Sequence, residues 1–232
     1  MIPSPKAREY FVKGKEHYMS ERYSAAIMFF NDALKSYSNY VNVWNYKGLA
    51  LYELKTYKEA IESFDKAIEI KPKYVNAWVN KAKTLYKLGK FDESLNCFNT
   101  LLTMKKDCDS IWENKGMILA KIDKFEDALE CFEFVIKAKN EYANKWKKKS
   151  EELLQLGKNE IAKDYFEIVK KILAGTEKIF IKMSKILSGL GRFNEAIEYL
   201  EKAIKLNPDN DKLVHEKENI LSKYGNIIES LE

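Results

Sequence analysis

Proline is scarce in this 232-residue chain: only Pro3, Pro5, Pro72 and Pro208 occur. Because proline breaks a helix interior, the long proline-free stretches suit helices. Arginine is as rare, with only Arg8, Arg22 and Arg192. Arginine is the favoured residue for bidentate contacts to phosphate and guanine, so its shortage weighs against sequence-specific reading of nucleic acid. No stretch approaches the roughly 18 consecutive apolar residues of a membrane span. The start, Met1 to Tyr10, lacks the apolar core of a cleaved secretion signal. The three cysteines, Cys97, Cys108 and Cys131, form no Cys-x-x-Cys pair, and so sparse and odd a set suits a reducing, cytoplasmic setting.

Catalytic signatures are missing as well. There is no phosphate-cradling Gly-x-x-x-x-Gly-Lys-Ser/Thr, no Gly-x-Gly-x-x-Gly and no His-Glu-x-x-His. The two histidines, His17 and His215, stand alone, and packing or surface roles explain them. No nucleophile, base or metal set emerges, so neither an enzyme nor a cofactor is expected. What the chain does have is 46% apolar residues, enough to build a core, and a moderate net charge of +5 that permits an acidic partner without requiring nucleic acid.

The apolar residues follow a long period. Trp44, Trp78, Trp112 and Trp146 are each 34 residues apart, with Tyr10 and Phe180 one step outside them. A fixed period of this size marks stacked repeats. Counting from Ala7, the aromatic stands at position four of each repeat. Position eight is small (Gly14, Gly48, Ala82, Gly116, Ser150, Ser184), and so is position twenty (Ala26, Ala60, Ser94, Ala128, Ala162, Ala196). Position twenty-four is large (Phe30, Phe64, Phe98, Phe132, Phe166, Leu200). Positions four, eight and eleven share one helical face, and twenty, twenty-four and twenty-seven share another. Each repeat therefore reads as two helices brought close by small residues. Gly89, Gly157 and Gly191 at position fifteen suit the end of the first helix. One such hairpin cannot bury its apolar face alone, so neighbours must stack.

The run Trp44, Gly48, Leu51, Tyr57, Ala60, Phe64, Ala67, Pro72 resembles the tetratricopeptide repeat signature. It departs at position seven, where the family usually has leucine and this chain has Lys13, Lys47, Lys81, Lys115 and Lys149. The stems of these lysines can pack while their heads reach water. The resemblance spans Ala7 to Asn210. It implies an all-α fold: a right-handed superhelical solenoid of six antiparallel helix-pair repeats (7–40, 41–74, 75–108, 109–142, 143–176 and 177–210) in one domain. Asp211 to Tyr224 reads as a capping helix, and Gly225 to Glu232 as a further abortive or frayed turn. Ser4 and Pro5 read as the N-cap and first residue of the first helix. Repeat five departs most, with Lys145, Asn159, Lys163 and Lys170 in place of apolar or aromatic residues. Repeats three to five lack the closing proline and carry Leu101, Val135 and Val169 at position twenty-seven. A local change of packing is expected around repeat five. Cys97 and Cys131 share position twenty-three of neighbouring repeats. Equivalent helices lie about 10 Å apart, beyond the roughly 7 Å limit for a disulfide, so both read as packing residues.

The resemblance implies a protein-binding scaffold whose concave groove is lined by positions two, five, six, nine, twelve and thirteen. The aromatic and amide residues there are Tyr18, Asn42, Asn45, Tyr46, Tyr52, Asn76, Asn80, Tyr86 and Asn114. The basic ones include Lys83, Lys87, Lys121, Lys147, Lys148, Lys178, Lys182 and Lys185, with Arg8 and Lys15; only Glu53, Glu113 and Glu151 oppose them. This bias points to a protein or peptide partner with an acidic portion. Nucleic acid bound through the basic end is the alternative, and a solvated lysine face the blander reading. Some family members grip a chaperone's C-terminal carboxylate with a lysine–asparagine clamp. Here Lys178 and Lys182 match its last pair, but Lys148, Glu113 and Met117 break the preceding slots, which argues against a clamp of that type.

Overall fold

The computed structural model describes residues 3–105 and 108–229; the tail beyond Glu229 lies outside the described residues. Among these residues the chain is helical throughout. The helices are α1 (Pro5–Met19), α2 (Tyr23–Ser36), α3 (Val41–Glu53), α4 (Tyr57–Ile70), α5 (Val75–Lys87) and α6 (Phe91–Met104). They continue as α7 (Asp109–Lys121), α8 (Phe125–Gln155), α9 (Asn159–Gly189), α10 (Phe193–Leu206) and α11 (Asp211–Glu229). This is a helical-repeat solenoid fold. No described helix is long and apolar enough to cross a membrane. The chain divides into two compact units, Met1–Ile118 and Leu119–Glu232, with the division falling inside α7.

Two kinds of turn follow from the sequence period. Position fifteen is left-handed in every repeat, at Glu21, Lys55, Gly89, Asp123, Gly157 and Gly191. There the next amide reaches back to close the helix end, as Arg22 N–H does to the His17 carbonyl at 2.9 Å. The second turn, between repeats, uses an extended residue at position thirty-one: Tyr37, Lys71, Lys105 and Asn207. Trp44 and Trp78 buttress it, since their indole N–H groups donate to the carbonyls of Ser38 (2.7 Å) and Pro72 (2.8 Å). At the start of the chain, Ser4 caps α1 by accepting from the Ala7 amide, with Pro5 opening the helix.

In the first unit, α1/α2, α3/α4 and α5/α6 form three hairpins. Phe30, Phe64 and Phe98 are fully buried between them. Gly14 and Gly48 face these rings so closely that a Cβ would stand 2.4 and 2.5 Å from Phe30 and Phe64. The small residue at position eight is thus what lets the ring at twenty-four enter. The position-seven lysines lie over the tryptophans: Lys47 stands 5.1 Å from the Trp44 ring, Lys81 5.9 Å from Trp78 and Lys115 5.4 Å from Trp112. Burial pushes the Lys47 pKa down, which fits a stem packed into the wall. Lys81 also pairs with Asp65 of the preceding repeat at 2.6 Å.

The second unit departs from regular stacking where the sequence departs most. The junctions at 138–142 and 172–176 do not turn, so α8 and α9 are continuous helices of 31 residues each. They pair antiparallel, as the Ser150 hydroxyl donating to the Ala162 carbonyl (2.8 Å) and the Lys139 tip beside Gly175 show. The first half of α8 therefore packs on the second half of α9, and α10 lies parallel to that first half. Arg192 pairs with Glu126 at 2.6 Å and the Tyr199 hydroxyl donates to Glu133 at 3.1 Å, two contacts with the same 66-residue offset. Helices of repeats four and six thus meet directly. Repeat five projects beyond them as the outer half of the α8–α9 hairpin. At its base, Asn207 and Asn210 donate to the buried Glu177 carboxylate at 3.3 and 3.0 Å.

Helix α11 covers the last hairpin through Lys217, which pairs with Glu201 at 2.6 Å, the same register relation as Lys81 with Asp65. The hydrogen bond and charge of Lys217 lower the Glu201 pKa from its ordinary 4.5. A carboxyl whose folded pKa lies below its unfolded one adds stability above the unfolded value and loses it as pH falls through the folded value. Melting of the Glu201→Gln variant against pH is therefore expected to converge with wild type in acid and to fall below it at neutral pH. Since the pair is only half-buried and solvent reaches it, the separation should be small and should shrink in high salt.

Candidate functional site

The first unit holds a depression of about 610 Å³. Its lining comes from the first helices of the hairpins and the turns that lead into them: Phe11 and Lys15 of α1; Asn42, Asn45, Tyr46 and Leu49 of α3; Tyr74 and α5 residues Val75, Asn76, Val79 and Asn80; and Cys108, Ser110 and Ile111 entering α7. The 34-residue period stacks these helices side by side. Side chains at positions two, five and six of successive repeats therefore converge.

The amides here form a ladder. Asn80 Nδ2 donates to Asn45 Oδ1 at 3.0 Å, and Asn45 is almost fully buried. The Tyr74 hydroxyl donates to Asn42 Oδ1 at 3.0 Å. Asn76 is exposed at the rim. Tyr46 packs edge-on to Phe11 and Tyr18, and Lys15 lies over the Tyr46 ring at 5.5 Å. The result is an apolar floor with fixed amide dipoles and one ammonium group at the edge. Such a surface suits a peptide, whose backbone needs hydrogen-bond partners and whose side chains need a pocket.

Six of the residues expected from the sequence, Lys15, Asn42, Asn45, Tyr46, Asn76 and Asn80, meet in this depression. Lys83, Tyr86 and Asn114 meet in a smaller one with Phe98, Met117 and Ile118. Asn114 is anchored by its amide donating to the Ser110 carbonyl at 2.6 Å. Tyr18, Tyr52 and Tyr86 each pack against the position-seventeen ring of their own repeat (Tyr23, Tyr57, Phe91) at 5.5 to 5.6 Å, so they also buttress the hairpin turn. Lys87 ends α5 and Lys121 ends α7.

The basic residues of repeats five and six do not form one row. Lys147 and Lys148 lie on the projecting part of α8, whereas Lys178, Lys182 and Lys185 lie on the half of α9 near α10. Roughly 18 Å of hairpin separates the level of Lys148 from that of Lys178, at 1.5 Å per helical residue. Lys185 approaches Glu216 of α11 at 3.7 Å. Tyr74, Val75, Cys108 and Ile111 line the depression from outside the expected groove positions. The recurrence of tyrosine at position thirty-four (Tyr40, Tyr74, Tyr142) was the available signal.

His17 stacks on Phe29 at 4.9 Å. No metal-holding cluster occurs among the described residues. None of the three cysteines is in a disulfide; burial pushes the Cys97 thiol up to about 11, while Cys108 is partly exposed at the groove. Because the thiolate is the reactive form, brief alkylation of the native chain is expected to modify Cys108 and to spare Cys97 and Cys131 until the fold is lost. Peptide mass mapping checks this.

Family models described as TPR repeat or tetratricopeptide repeat match residues 48–89, 79–143 and 177–210, together more than half of the chain. No curated protein sequence matches. Among solved structures, YrrB, described as a TPR protein with an unusual peptide-binding site, is 18% identical, covers 90% of each chain and superposes with a TM-score of 0.62. MamA is 14% identical over 89% of this chain and 94% of its own, with a TM-score of 0.68. The first TPR of Spaghetti (RPAP3), bound to the HSP90 peptide SRMEEVD, is 16% identical over 53% of this chain and 99% of its own, with a TM-score of 0.50.

Proposed function

Because the chain belongs to the tetratricopeptide repeat family, we propose that it is a protein-interaction scaffold, not an enzyme, and that the α1/α3/α5 face of the first unit grips an extended partner segment. The observation that carries this reading is the convergence of Asn42, Asn45, Asn76 and Asn80 over an apolar floor in a single depression. The exposed Asn76 amide at the rim suits a backbone group, and Phe11, Tyr46, Leu49 and Val79 suit one or two apolar side chains. Lys15 at the edge, with Lys83 and Lys87 further along, favours an acidic residue beside that apolar anchor. The peptide-bound RPAP3 domain and the peptide-binding site ascribed to YrrB give precedents within the same fold. A reducing, cytoplasmic compartment suits cysteines that form no disulfide.

Selection of a random peptide display library on the intact chain tests the proposal. The expected outcome is enrichment of sequences with an apolar residue flanked by Asp or Glu, whose binding protects Cys108 from alkylation. If no peptide is enriched, and single-stranded RNA binds with affinity falling steeply in salt, binding through phosphates replaces this reading.

A further inference from the structure

Repeat five keeps the residues of a stacked repeat but does not stack. Its position-four, eight, twenty and twenty-four residues are Trp146, Ser150, Ala162 and Phe166, as in its sisters. Yet Phe166 is 36% exposed, while Phe30, Phe64, Phe98 and Phe132 are at most 1% exposed. The Trp146 indole N–H is buried without a partner. In Trp44 and Trp78 the same N–H donates to the position-thirty-two carbonyl, which is accessible only where the chain turns. Its counterpart at Asn140 lies inside continuous α8. Near the other junction, Gly175 interrupts the middle of α9, where glycine weakens a helix. The exposed ring and the orphan N–H would both be relieved in an arrangement in which both junctions turn and repeat five lies between repeats four and six.

What opposes that arrangement is also visible. In the first unit, position five of one repeat meets position six of the next, which brings Asn45 and Asn80 to 3.0 Å. The same relation in repeats five and six pairs Lys147 with Lys182. Two ammonium groups there repel each other unless an anion lies between them.

We propose that repeat five is a hinged module: the projecting hairpin exchanges with a folded-back repeat, and an acidic peptide segment selects the folded-back form by bridging Lys147 and Lys182. The ligand half of this proposal rests on reading the first-helix face as the partner-binding surface. Folding back gives Trp146 its turn carbonyl, covers Phe166 and lines up the basic residues of repeats five and six. A ligand that binds only one of two forms shifts the population toward it.

The test is a spin-label distance measurement on the full chain, with labels at Lys158→Cys and Asn194→Cys in a Cys108→Ser background. In the projecting form the labels stand roughly 40 Å apart, from 1.5 Å per residue along the hairpin. In the folded-back form they lie on adjacent repeats, within about 20 Å including the label arms. The expected result is a dominant long distance without ligand and a shift to the short one on adding a decaglutamate peptide. Lys147→Asn with Lys182→Asn is expected to populate the short distance without peptide. If decaglutamate binds by calorimetry and the long distance persists, the hinge is overturned while the ligand reading survives. If decaglutamate does not bind but the double asparagine variant shortens the distance, the hinge stands and the acidic segment is overturned. A short distance that appears only at dimer mass overturns folding back within one chain.

Discussion

Replacing Phe64 with alanine is expected to cost about 3–5 kcal/mol of stability, while the same change at Phe166 costs below about 1.5 kcal/mol. The two residues hold the same position of their repeats, so sequence alone predicts equal effects. Phe64 is fully buried against Gly48, and its removal leaves a cavity that the glycine cannot fill. Phe166 is 36% exposed on the projecting hairpin, so less contact is lost. Urea titration of both variants, followed by helical signal, measures the difference. Equal losses would mean that repeat five stacks like its sisters in the unliganded chain.

Replacing Tyr46 with alanine is expected to weaken binding of a selected peptide by about thirtyfold or more, the effect of removing a central aromatic anchor. Tyr46 lines the depression and organises Phe11, Tyr18 and Lys15 around it. Because that packing also supports the fold, Asn76→Ala is the companion variant. Asn76 is exposed, so its loss should leave melting unchanged while weakening binding about fivefold, the value of one hydrogen bond of roughly 1 kcal/mol. Titration calorimetry with one peptide across wild type and both variants reads the two effects. A peptide whose affinity neither change alters does not sit in this depression.

Much of the architecture is written in the period. Trp44 and Trp78, the small residues at eight and twenty, and the large residue at twenty-four specify a helix pair that repeats, and the fully buried rings are those the period selects. The left-handed turn at position fifteen was legible only where glycine marks it. Glu21, Lys55 and Asp123 adopt the same backbone without that signal, because the helix closure around them fixes it. The fused helices were harder to read. Missing proline is not sufficient, since α6 and α7 are separate helices without one. Asp109 opens α7 with its side chain accepting from the Ser110 amide. The 137–143 junction, Lys-Ala-Lys-Asn-Glu-Tyr-Ala, is rich in helix formers and offers no comparable stop. In the groove, the amides and Tyr46 were legible as a periodic face. The basic row was not, because repeat five breaks the stacking that would align it.

Amide chemical-shift mapping of the isotope-labelled chain with a selected peptide tests the proposed binding face most directly. Perturbations centred on Asn42, Asn45, Tyr46, Asn76 and Asn80, with α2, α4 and α6 little changed, are the expected result. Saturable shifts confined to α2, α4 and α6, with the α1/α3/α5 face silent, would contradict it.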